Sequence, residues 1–170
     1  MATVPQMSRT LALAVACLLV LAAPAAAADR DFAPPDRPGP PLSVPKAELD
    51  AALACSEQRL EGAARAPVLL VQGTGATAKD NWSWTYEPAL TKRGIPWCHV
   101  DLPEQATQDV QRSGEFVTYA IRTMYARAGR RIAILGHSQG GMVPRWALRF
   151  WPDTRAMVDD LVGFAPSNHG

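Results

Sequence analysis

The 170-residue chain carries 17 basic and 16 acidic side chains, and a formal charge of +1 gives no electrostatic reason to bind nucleic acid or an anionic membrane. Hydrophobic residues make up 48% of it, and the length suffices for one domain with one core.

Residues 1–28 read as an export signal. Arg9 supplies the positive start, Leu11 to Ala23 the apolar stretch, and Ala26-Ala27-Ala28 an A-x-A site before Asp29. The apolar stretch, about 13 residues, is too short to span a bilayer. Cys17 lies inside it and Ala14 stands where a lipoprotein signal carries Leu, so lipid attachment is not expected. The remaining chain is expected to be soluble and secreted. In that compartment its two cysteines, Cys55 and Cys98, suggest a disulfide, with two buried free thiols as the alternative.

Residues 29–45 hold six prolines and no hydrophobic period, and read as an extended arm before a domain at 46–170. Lys46 to Cys55 is a short helix candidate, with Leu49 and Leu53 one turn apart. Pro67 to Gln72 is a continuous apolar run of strand length that leads into Gly73-Thr74-Gly75. In the mixed segment Lys79 to Lys92, Trp82, Trp84 and Tyr86 are expected to pack under a loop. Ile95 to Asp101 is a second strand, weakened at its start by Pro96. Gly114 to Ala128 is a helix with Val117, Ala120, Ile121, Met124 and Ala128 on one face and Gly129 as its stop. Arg131 to Gly136 is a third strand and Met142 to Phe150 a helix, in which Pro144 is expected to cause a kink. Leu161 to Ala165 is a fourth strand, ended by Pro166. Apolar strands alternating with helices predict an α/β fold, a parallel sheet covered by helices on both faces.

The third strand and its helix meet at Gly136-His137-Ser138-Gln139-Gly140-Gly141. This is G-x-S-x-G in the strand-to-helix setting of a nucleophile elbow. Side chains at Gly136 and Gly140 would crowd neighbouring backbone, and the turn presents Ser138 Oγ above the sheet at a helix N-terminus. Two of the four expected strands end in candidate chemistry, here and at Gly73-Thr74-Gly75, where ligands bind in such sheets. No histidine or cysteine pair has metal-ligand spacing, and Gly73-Thr74-Gly75 lacks the Gly-Lys-Ser/Thr of a phosphate loop, so no cofactor is implied.

From about Pro45 to Pro166 the chain resembles α/β-hydrolase lipases of the Candida lipase B type, grouped with bacterial secreted class 2 lipases. The similarity is strongest at Pro67 to Gly75, at Ser138-Gln139-Gly140-Gly141, and at Val158 to Pro166. It implies that Ser138 is the acylated nucleophile, that the Gln139 backbone N–H donates to the oxyanion, and that Thr74 adds its N–H and hydroxyl. It also implies that Cys55 and Cys98 are bridged.

In this fold the triad runs Ser, then Asp or Glu, then His, and nothing up to Gly170 matches the last two. The chain therefore reads as truncated after the strand that follows the elbow, with an Asp–His pair expected beyond it. Of its three histidines, His137 is expected to pack and His99 to lie half-buried in a strand. His169 is the remaining base candidate, without an obvious orienting carboxylate. The implied activity is a secreted serine ester hydrolase, a lipase or carboxylesterase. Its rivals are an acyltransferase of the same fold and a non-catalytic exported hydrolase-like domain. The chain as written is expected to be nearly inactive, because loss of a triad base costs about a millionfold in kcat.

Overall fold

A computed structural model describes residues 33–168, so the expected export signal and His169 lie outside the described residues. In chain order the regular elements are α1 (Lys46–Ala52), β1 (Leu53–Cys55), β2 (Val68–Val71), α2 (Ala78–Trp82), α3 (Tyr86–Lys92), β3 (Trp97–Val100), α4 (Val110–Ala128), β4 (Ile132–His137), α5 (Val143–Phe150) and β5 (Val158–Phe164). They build one sheet of order β1-β3-β2-β4-β5.

The sheet is mixed, where the sequence predicted a parallel one. β3, β2, β4 and β5 are parallel, while β1 runs antiparallel along the outer side of β3. This edge strand replaces the end of the helix expected over Lys46 to Cys55. The helix stops at Ala52, and Leu53 to Cys55 pair with Val100 to Cys98. Cys55 thereby lies directly opposite Cys98, and the two are joined by a disulfide across the pair, with Cα atoms 3.9 Å apart.

Alternation along the central strands sends side chains to both faces. Leu69, Val71 and Ile134 pack in a large cluster with Val117, Ile121 and Met124 of α4 and Val143 and Ala147 of α5. On the other face Leu70 packs with Ala78 and Trp82 of α2, flanked by Leu90 of α3 and Leu135. Helices thus cover both faces. β5 is the far edge strand, and Val162 and Phe164 on it are exposed.

Four local expectations change. α4 begins at Val110 because Asp109 caps it, its carboxylate accepting from the Gln111 N–H at 2.7 Å. β5 begins at Val158, ahead of Leu161. Pro144 sits in the first turn of α5, where a missing N–H removes no helical bond, so it starts the helix instead of kinking it. Of the three aromatic residues expected to pack, Trp82 is buried, but Trp84 is 75% exposed and Tyr86 lies at the surface.

The proline-rich segment is strapped to the helices. Arg122 donates to the Pro38 carbonyl at 2.6 Å and Trp151 Nε1 to that of Pro40 at 2.8 Å. The Ser43 and Val44 N–H groups donate to the Glu115 carboxylate.

Candidate active site

The site forms where β2 and β4, direct neighbours in the sheet, release their chains at the carboxyl end. β4 ends at His137, a single 3₁₀ turn spans Ser138 to Gly141, and α5 follows. Ser138 has φ +52°, a left-handed conformation that costs a serine on the order of 1–3 kcal/mol and persists only where its surroundings enforce it.

The glycines are that enforcement. A Cβ on Gly136 would lie 1.9 Å from the Gly140 carbonyl oxygen, and one on Gly140 would lie 2.2 Å from that of Val71. No side chain fits either gap, so the elbow closes directly on the end of β2. The Ser167 N–H donates to the Ser138 carbonyl at 3.2 Å and fastens the turn from the β5 side. Gln139 lies in the first turn of the 3₁₀ segment, where an N–H has no acceptor inside its own helix and can serve an anion.

Facing the elbow is the loop Gly73 to Gly75. A Cβ on Gly73 would come within 3.1 Å of both Ser138 Cβ and His137 Nδ1, so this loop lies against Ser138 itself. The Thr74 hydroxyl donates to Gln139 Oε1 at 2.8 Å, linking the two residues expected to flank an oxyanion. The loop is fixed from behind. Gly75 N–H donates to the Gln105 carbonyl at 2.7 Å, which belongs to a run of three left-handed residues, Glu104 to Ala106. Gly73 N–H donates to Asn81 Oδ1 at 2.9 Å.

α2, which carries Asn81, is itself well founded. Thr77 and Asp80 form a capping box, and the Ala78 N–H donates to Asp101 Oδ1 at 2.7 Å. The hydrogen bonds from the Thr77 hydroxyl and then its N–H hold the Asp80 carboxyl below the usual carboxylate range.

Both described histidines have partners other than Ser138. His99 Nδ1 lies 2.6 Å from Glu87 Oε1, and His137 Nδ1 lies 3.0 Å from Asn81 Oδ1. His137 therefore does more than pack. Ser138, Gln139 and Thr74 lie together at this corner, while sequence reasoning missed Asn81, Asp101 and Gln105. Thr77 followed by Asp80 is a helix-start signal that could have placed Asn81 one turn beyond the glycine loop. Nothing local marks Gln105. No group of three or more metal-binding side chains lies among the described residues.

A sheet of this order with a strained serine between β4 and α5 defines an α/β-hydrolase fold. No protein-family model matches the chain. It is 36% identical over 137 residues to lipase B of Pseudozyma antarctica, a match covering 80% of this chain and 40% of that protein. The crystal structure of Aspergillus fumigatus lipase B superposes with a TM-score of 0.73 at 30% identity, over 78% of this chain and 32% of that one. A Bacillus licheniformis lipase in its mature form agrees in fold alone, with a TM-score of 0.58 at 20% identity over 69% of this chain and 48% of that one. In sequence and fold the chain is similar to lipase B, and it spans less than half the length of these relatives.

Proposed function

We propose that this polypeptide carries the nucleophile and oxyanion half of a secreted serine ester hydrolase of the lipase or carboxylesterase kind. The observation that carries the reading is the Thr74–Gln139 hydrogen bond, which closes the Gly73 to Gly75 loop over a serine held at φ +52°. Ser138 Oγ attacks the ester carbonyl, and the Oγ–C bond forms as the carbonyl electrons move to oxygen. The N–H groups of Gln139 and Thr74 receive that oxyanion, each worth on the order of 3 kcal/mol of transition-state stabilisation. The ester C–O bond then breaks and the alcohol leaves with a proton, giving acyl-Ser138. Water cleaves the acyl group in a second step.

Both steps need a general base to accept and return a proton. Neither His99, engaged with Glu87, nor His137, engaged with Asn81, fills that role. That role falls to an Asp–His pair outside residues 33–168. Export belongs to the same proposal: residues 1–28 carry the features of a signal peptide, and the Cys55–Cys98 disulfide suits an oxidising compartment.

A fluorophosphonate probe tests the nucleophile. Attachment at Ser138, absent in Ser138→Ala, is the expected result. Folded protein that forms no adduct there would favour a non-catalytic hydrolase-like domain.

A further inference from the structure

Asn81 lies off the reaction path, yet its side-chain oxygen meets two donors from the two halves of the site. Oδ1 is 2.9 Å from the Gly73 N–H, in the loop against Ser138, and 3.0 Å from His137 Nδ1, the residue before Ser138. A backbone N–H can only donate, so the Gly73 contact fixes which amide atom of Asn81 faces inward. The same oxygen facing His137 then requires the proton on Nδ1, leaving Nε2 as the bare nitrogen of the neutral ring. One atom thus decides the orientation of an amide, the tautomer of an imidazole and the height of a loop.

Its support is rigid. Asn81 N–H donates to the Thr77 carbonyl at 3.2 Å, and its own carbonyl accepts from the Thr85 hydroxyl at 2.7 Å. The next residue, Trp82, is buried against Leu70 and Ala78. α2 is therefore held to the sheet, and Asn81 Oδ1 cannot follow a drifting loop.

We propose that Asn81 is a positioning residue that locks the oxyanion loop to the nucleophile strand by accepting from Gly73 N–H and His137 Nδ1–H together. The proposal rests on the reading of Ser138 as nucleophile only for its catalytic consequence. Without the lock, Thr74 and its N–H lose their fixed distance from the carbon that Ser138 attacks. A misplacement of about 1 Å in such a site costs on the order of a hundredfold in rate.

The test uses ¹⁵N-labelled chain, wild type beside Asn81→Ala and Asn81→Asp. In the wild type, nitrogen shifts place the neutral His137 proton on Nδ1, and the Gly73 amide exchanges slowly. In Asn81→Ala the Gly73 amide exchanges at least tenfold faster and the tautomer preference is lost. Asn81→Asp, which keeps an acceptor oxygen for both donors, restores the slow exchange. Acetylation of Ser138 by p-nitrophenyl acetate falls on the order of ten- to a hundredfold in Asn81→Ala and recovers in Asn81→Asp. A neutral wild-type His137 with its proton on Nε2 alone overturns the lock without any variant, as does unchanged Gly73 exchange in Asn81→Ala. If wild-type Ser138 accepts no acetyl group, the nucleophile reading fails, while exchange and tautomer still judge the lock.

Discussion

At Ser138 the chain holds one residue in an unfavourable backbone state and surrounds it with glycines that leave no other option. Gly140 ties that turn to the neighbouring strand, since a Cβ there would lie 2.2 Å from the Val71 carbonyl oxygen and 2.4 Å from that of Gln72, at and just past the end of β2. Both obstacles are backbone, which cannot rotate away. Gly140→Ala is expected to cost about 1–3 kcal/mol, the range for overpacking, as a lowered urea midpoint. An unchanged midpoint would mean that the elbow is looser than these distances require. A second residue-scale prediction concerns Asp80. The Thr77 hydroxyl and N–H hold its carboxyl below the ordinary 3.8, so its share of stability is present above that pH and is lost as pH falls through the lower folded value. An NMR titration should place its midpoint below 3.8, and Thr77→Val should move it upward. A wild-type midpoint at or above 3.8 would contradict the capping box. The elbow around Ser138 and Gln139 was legible because its serine and glycines stand in consecutive residues. Asn81 was not, because its partners lie at Gly73 and His137, and only the pairing of β2 with β4 brings those two together.

Among the elements, β1 illustrates what a hydrophobic period leaves open. Leu49 and Leu53 suit successive helical turns, yet Leu53 to Cys55 leave the helix because pairing with β3 and the Cys55–Cys98 link supply long-range partners that no local pattern reports. The disulfide closes a 43-residue separation, and the chain-entropy model gives a stabilisation of about 4 kcal/mol for such a loop. Replacing both cysteines by alanine is expected to lower unfolding free energy by about 2–4 kcal/mol in urea titrations. No loss would show that the pair is not bridged in solution. The central strands were readable because burial on both faces makes them continuously apolar. Their ends were less so: β5 starts with Val158-Asp159-Asp160, and the two exposed acidic residues there break the apolar run that betrays a strand.

On the proposed mechanism, the labour of catalysis is divided unevenly across the whole molecule. Residues 33–168 supply a covered sheet, a strained serine and a braced Gly73 to Gly75 loop, while the two described histidines are committed elsewhere. Sequence could not name a base because triad order is fixed by topology, with the later members on loops after later strands, and the chain spans 40% of the lipase B relative. The site as described should therefore acylate slowly and deacylate more slowly still, because no described residue activates water. An oxyanion hole without its triad retains about a thousandfold or more over solution.

The most direct measurement is mass spectrometry of the folded chain after incubation with p-nitrophenyl acetate. Trypsin releases Ile132 to Arg145, a peptide in which Ser138 is the sole hydroxyl residue. The account predicts one acetyl group on this peptide that accumulates ahead of other serines, persists for lack of a base, and is missing in Ser138→Ala. Acetylation of that peptide no greater than in the Ser138→Ala control would contradict the assignment of Ser138 as the nucleophile.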